Sequence, residues 1–152
     1  MYNSSMNETD GRAAGSATIA DTTIFSVIHA AHVLEDKLED ALAKAHLSMP
    51  KFSVLKELAT ADEPLSLGEL ANRLSCVRSN MTQLVDRLEA DGLVRRVDSP
   101  TDRRSVKAEI TETGRKRQAD GSKEVERLQE EVAAMVPIAD RATLVRLLES
   151  LK

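Results

Sequence analysis

Apolar residues recur at three- and four-residue spacing between Asp21 and His46, at Ile24, Ile28, Ala31, Leu34, Leu38 and Leu42. That spacing predicts one stripe of a long amphipathic helix. Before it, residues 1–20 are Ser, Thr, Asn, Gly and Ala with no period, the pattern of a disordered tail. Ser48 can cap a second helix with Pro50 in its first turn, and Phe52, Leu55 and Leu58 form its buried face. Asp62, Glu63 and Pro64 end it.

Ser66-Leu67-Gly68-Glu69 reads as a capping box, and Leu67, Leu70, Ala71 and Leu74 stripe the short helix that it opens. Ser75-Cys76 is the turn to another helix, Val77 to Asp91, with Met81, Leu84, Val85 and Leu88 facing inward. Gly92 stops that helix as a left-handed residue. Leu93 to Val97 is then a strand, Asp98 to Asp102 is rich in turn formers, and Ser105 to Ile110 alternates as the return strand. A long helix follows from Thr111 or Thr113 and carries Val125, Leu128, Val132, Met135 and Val136. Pro137 breaks it, and a last helix beginning near Asp140 carries Leu144, Val145, Leu147, Leu148 and Leu151.

The expected fold is mainly α with a small β-hairpin wing: a winged helix-turn-helix flanked by long dimerisation helices. The tail is 1–20, the helical dimerisation region is 21–47 with 111–152, and the winged helix-turn-helix is 48–110. The end helices carry more apolar stripe than so small a core can cover. A second copy of the chain, paired about a two-fold axis, would bury it. Such a dimer would set two reading helices about one DNA turn apart on a palindromic site.

Charge sharpens this picture. The chain has 152 residues and a net charge of −4, which argues mildly against nucleic acid. The charge is uneven, however. Residues 1–47 hold three basic and seven acidic residues, whereas residues 73–107 hold eight basic and five acidic ones. The exposed face of the helix after the turn would present Arg78, Ser79, Asn80, Thr82, Gln83 and Arg87, together with Asp86. Arg can bind guanine, and Asn or Gln adenine, each through two hydrogen bonds worth roughly 1–3 kcal/mol of discrimination. Ser and Thr suit phosphate oxygens, and Ser66 at the start of the preceding helix is placed for one. In the wing loop, Arg103 and Arg104 suit a narrow minor groove, with Asp102 orienting one guanidinium.

Other chemistry is thin. No apolar run approaches the ~18 residues needed to span a bilayer, and the N-terminus lacks a basic region followed by an apolar core, so the cytoplasm is the expected location. No glycine-rich phosphate loop, metal-spaced His/Cys set or nucleophile–base pair is present, so neither an enzyme nor a bound cofactor or metal is expected. Cys76 precedes a helix, where a thiol pKa can fall, and so offers a redox-sensing alternative. With one Cys in the chain, packing of the turn is the commoner role. A second alternative, favoured by the acidic balance, is a winged helix that binds protein rather than DNA.

Residues 47–114 resemble the MarR family of bacterial winged-helix transcription regulators. The family's wing pattern is matched by Asp102, Arg104, Ile110, Thr111 and Gly114. Its helix-turn-helix pattern is matched by Leu70-Ala71-Asn72-Arg73-Leu74, by Thr82, and by the run from Leu84 to Leu93. The resemblance implies a homodimer on double-stranded palindromic DNA, usually a repressor, often released by a phenolic or other aromatic small molecule or by oxidation. By the same analogy Phe25, His29, His32, Phe52 and Leu55 would touch an effector cleft. One departure stands out: the family commonly has Gly-Leu-Ser before the reading helix, and this chain has Ser75-Cys76-Val77. The helix cap must then come from Ser75 or be missing.

Overall fold

The computed structural model describes residues 13–98 and 106–151. By its contacts the chain divides into two units, residues 1–36 and 37–152, with α1 (Ala13–Lys44) running through the boundary. The helix starts at Ala13 rather than Asp21, so residues 13–20 are helical and not tail. Ala13, Ala14, Ala17 and Ala20 are the strongest helix formers and carry the helix upstream without any periodic apolar signal. In the first unit Ile24, Phe25, Val27, Ile28, Val33 and Leu34 are all exposed.

The second unit is built around one core. The last turn of α1 contributes Leu42. From α2 (Met49–Thr60) come Phe52, Val54, Leu55 and Leu58. The two-residue strand β1 (Leu65–Ser66) leads into α3 (Leu67–Arg73), which buries Leu70 and Ala71. The next helix, α4 (Arg78–Ala90), buries Met81, Val85 and Leu88 completely. Strands β2 (Val94–Asp98) and β3 (Val106–Ile110) form an antiparallel hairpin in register from Val94↔Ile110 to Asp98↔Val106. The sheet order is β1-β3-β2, with Leu65 opposite Ala108.

Two long-range locks close the base of this hairpin. Gly92 takes φ +71, the left-handed conformation expected of the helix stop, and Leu93 N–H donates back to Leu88 O at 2.9 Å. Thr111 then caps α5 (Glu112–Met135): its hydroxyl oxygen accepts from Gly114 N–H at 3.0 Å and the hydroxyl donates to Gly92 O at 2.8 Å. A Cβ on Gly114 would stand 2.1 Å from Leu93 O, so only glycine lets α5 start this close to the end of α4. The Thr-x-x-Gly element of the wing motif is therefore a packing device at the root of the hairpin.

After Pro137, α6 (Ile138–Glu149) buries nothing, and its Leu144, Val145, Leu147 and Leu148 are exposed. Among the described residues no helix is long and apolar enough to cross a membrane.

Candidate nucleic-acid interface

The capping box forms as the sequence predicts. Ser66 Oγ accepts from Glu69 N–H at 3.2 Å, and Glu69 Oε2 accepts from Ser66 N–H at 2.7 Å. Hydrogen bonding from the Ser66 side chain to the carboxyl, and then the bond from Ser66 N–H, hold Glu69 below its ordinary value. The Ser66 hydroxyl is engaged with Glu69 on both counts, its oxygen accepting from Glu69 N–H and its side chain hydrogen-bonding to the Glu69 carboxyl. Close beside it, Arg78 Nη2 lies 3.4 Å from where a Cβ on Gly68 would stand. The first residue of α4 thus reaches back over the start of α3, beside the capping serine.

Between the helices, Ser75 takes φ +49, a left-handed conformation that residues other than glycine adopt only uncommonly. The cap on α4 is missing: Val77 sits at the N-cap with no side-chain bond, and its side chain is exposed. With Val77 unable to accept a hydrogen bond, the first free N–H groups of α4 point out of the helix end without a capping side chain. Cys76 is half-buried against the core, its Sγ 3.5 Å from Val77 O. Its packing is that of a small turn residue.

Burial of Met81, Val85 and Leu88 turns the opposite side of α4 outward, and Arg78, Ser79, Asn80, Thr82, Gln83 and Arg87 are all exposed. The structure brings these six expected residues onto one helix. It also distinguishes them. The Thr82 hydroxyl donates to Arg78 O at 3.1 Å, so its proton is committed within the helix. Asp86 is taken up by Arg96, whose Nη2 lies 2.5 Å from Asp86 Oδ1. Arg96 also pairs with Glu89 through Nη1, and its backbone N–H donates to Glu89 Oε1 at 3.1 Å. The hydrogen bond to Asp86, followed by that to Glu89, raises the Arg96 pKa above its ordinary value despite partial desolvation.

Sequence reasoning missed this clamp, and with it the true distribution of charge. Arg95 pairs with Glu109 across the hairpin at 2.6 Å, and Arg73 with Glu57 at 3.3 Å. The cations of this region left without an ion pair among the described residues are Arg78, Arg87 and Lys107. Lys107 lies opposite Ser66 in the sheet, a neighbour that no local sequence signal announces. Asp102, Arg103 and Arg104 lie outside the described residues.

The remaining expected site does not assemble as read. Phe52 and Leu55 belong to the core, at 7% and 0% exposure, because α2 is wedged between α4 and α5 and turns that face inward. They offer no surface to an effector. Phe25, His29 and His32 are exposed on α1 in the first unit.

A helix-turn-helix with a three-stranded sheet and a hairpin wing defines this molecule as a winged-helix protein. The comparisons specify which. The MarR family model matches residues 47–106, so this part of the chain is a MarR-family domain. It is 40% identical over 73 residues to the HTH-type transcriptional regulator YfiV of Bacillus subtilis, covering 48% of this chain and 45% of that one. It is 32% identical over 109 residues to the transcriptional activatory protein BadR of Rhodopseudomonas palustris, covering 70% and 62%. Among solved structures it resembles the transcriptional repressor CouR bound to a 23-mer DNA duplex, with TM-score 0.77 and 26% identity over 88% of this chain and 94% of that one. CouR from Rhodococcus jostii RHA1 has also been solved bound to p-coumaroyl-CoA. The chain spans about half the length of the curated relatives it matches. These relatives are named as transcriptional regulators, not as enzymes.

Proposed function

We propose that this chain is a sequence-specific DNA-binding transcriptional regulator that acts in the cytoplasm as a homodimer on a palindromic operator. The observation that carries the reading is α4, fully buried on one side and presenting a continuous polar face on the other. Arg78 reads guanine, and Asn80 and Gln83 read adenine, by paired hydrogen bonds in the major groove. Ser66, Ser79, Arg87 and Lys107 hold phosphates. Thr82, its proton committed to Arg78 O, serves instead as an acceptor or through its methyl. Exposed Val77 suits a thymine methyl. Arg103 and Arg104, in the segment joining β2 and β3, suit the minor groove, with Asp102 orienting one guanidinium.

Dimerisation rests on the exposed apolar positions of α1 and α6, which are too numerous for a free surface. Repression is the proposed outcome, because a dimer lying across a promoter excludes polymerase without any additional contact. CouR, solved with both DNA and a small molecule, supports release by an effector.

Fluorescence anisotropy against the DNA upstream of the chain's own gene, compared with a scrambled duplex across a salt series, tests the reading. Selective binding is expected. Arg104→Ala should weaken it and flatten its salt dependence by about one phosphate's worth of slope. Asn80→Ala or Gln83→Ala should relax preference at particular operator positions by about 1–3 kcal/mol. Weak, unselective binding at every salt concentration would overturn the DNA-reading role and leave a protein-binding winged helix.

A further inference from the structure

The end of α1 and the first half of α5 enclose an open cavity of about 600 Å³ that neither the helix-turn-helix nor the apolar end helices use. Its size suits a small metabolite. Five cations line it: Lys44, Lys116, Arg117, Lys123 and Arg127. Only two carboxylates, Asp120 and Glu124, oppose them, a surplus of three positive charges in a chain that is negative overall.

The carboxylates do not quench this surplus. Glu124 is shared between Arg127 at 2.6 Å and Lys44 at 3.7 Å, and Asp120 meets Lys123 at 3.5 Å. Lys116 has no ion pair among the described residues. Arg117 spends one N–H on Ala45 O at 3.4 Å and keeps its other donors. Cations crowded on one helix face repel each other, and an anion relieves that repulsion. Lys116 and Lys123 are two helical turns apart, about 10 Å along the axis, so a ligand engaging both needs separated charges.

The cavity is not an extension of the DNA surface. Thr111 ties the start of α5 to Gly92, at the far end of α4 from Arg78. That places Thr111 roughly 20 Å along α4 from Arg78 at its start. The lining also lacks an aromatic ring to stack a phenol, apart from the imidazole of His46.

We infer that this cavity binds a small polyanion carrying two or more phosphate charges, and that such a ligand regulates the protein. The regulatory half rests on the DNA-binding function proposed above; the binding half does not. A ligand bridging Lys44 and Lys116 acts on α5 one turn from Thr111 and Gly114, which lock the root of the wing to the end of α4. Its occupancy therefore bears on how wing and reading helix are held together.

Calorimetric titration of the full chain with sodium pyrophosphate, without DNA, reads the site directly. Saturable binding at one site per chain is expected, at least tenfold weaker in Lys116→Gln/Lys123→Gln. Both lysines are exposed, so folding is retained, as circular dichroism would verify. Arg78→Ala, which removes a cation from the other face, should bind pyrophosphate as the unaltered chain does. No saturable binding, or loss in Arg78→Ala but not in the double variant, overturns the site. Citrate binding as tightly as pyrophosphate overturns the phosphate assignment. Pyrophosphate should also shift the DNA anisotropy curve of the unaltered chain and not that of the double variant. An unshifted curve overturns regulation, while a failure of DNA binding itself leaves the calorimetric result standing.

Discussion

Arg96 does more for the outward face of α4 than its count as one positive charge suggests. It stands on β2 and bonds Asp86 and Glu89, one turn apart on α4. Its side chain is only 28% exposed, so these bonds are less screened than an ordinary surface pair. Arg96→Ala should destabilise the fold by about 1–2 kcal/mol in urea denaturation and also weaken DNA binding, because the wing loses its tether to α4. Unchanged stability would show the clamp to be idle. Glu69 provides a pH test at the same scale. Its folded pKa is depressed by the Ser66 bonds, so its contribution to stability is present above 4.5 and lost as pH falls through the lower folded value. The melting-temperature difference between the unaltered chain and Glu69→Gln should be constant near neutrality and shrink below that range. A difference that does not vary with pH would mean the charge of Glu69 is immaterial to the cap. The capping box was legible because its partners are three residues apart. The Arg96 clamp and the Lys107–Ser66 neighbourhood were not, since tertiary folding alone brings those residues together.

Among the elements, α3, α4 and the hairpin appear within a residue or two of their expected bounds, because period, caps and Gly92 agree about each. Two outcomes depended on more than local pattern. Strand β1 is two residues long and exists only through its pairing with Ala108 and Lys107, so no periodicity could reveal it. The start of α4 lacks a capping side chain. Val77→Ser should supply one and stabilise the protein by about 0.5–2 kcal/mol, seen as a higher melting temperature. No gain would indicate that the N–H groups at this helix end already have partners. The early start of α1 shows the limit of reading by apolar stripe: an alanine-rich segment is strongly helical without having one.

For the whole molecule, the decisive fact is where apolar surface remains. The second unit closes a core around Leu42, Leu55, Leu70, Met81 and Leu88, all fully buried. Phe25 at 71% and Leu148 at 46% exposure stand outside any core. Sedimentation should show a dimer at micromolar concentration, and Phe25→Glu/Leu148→Glu should shift it toward monomer and lower DNA affinity. A double variant that remains dimeric would place the interface elsewhere. The chain's own sequence determined the order of elements, the inward faces of α2, α3 and α4, the capping box and the polar face of α4, because each is written in residues three or four positions apart. Only the tertiary structure decided that Arg95 and Arg96 are spent on internal carboxylates, and that α1 and α5 gather five cations around one cavity. Burial and charge pairing depend on which elements meet, and residues as distant in sequence as Lys44 and Arg127 become neighbours only when the fold has closed.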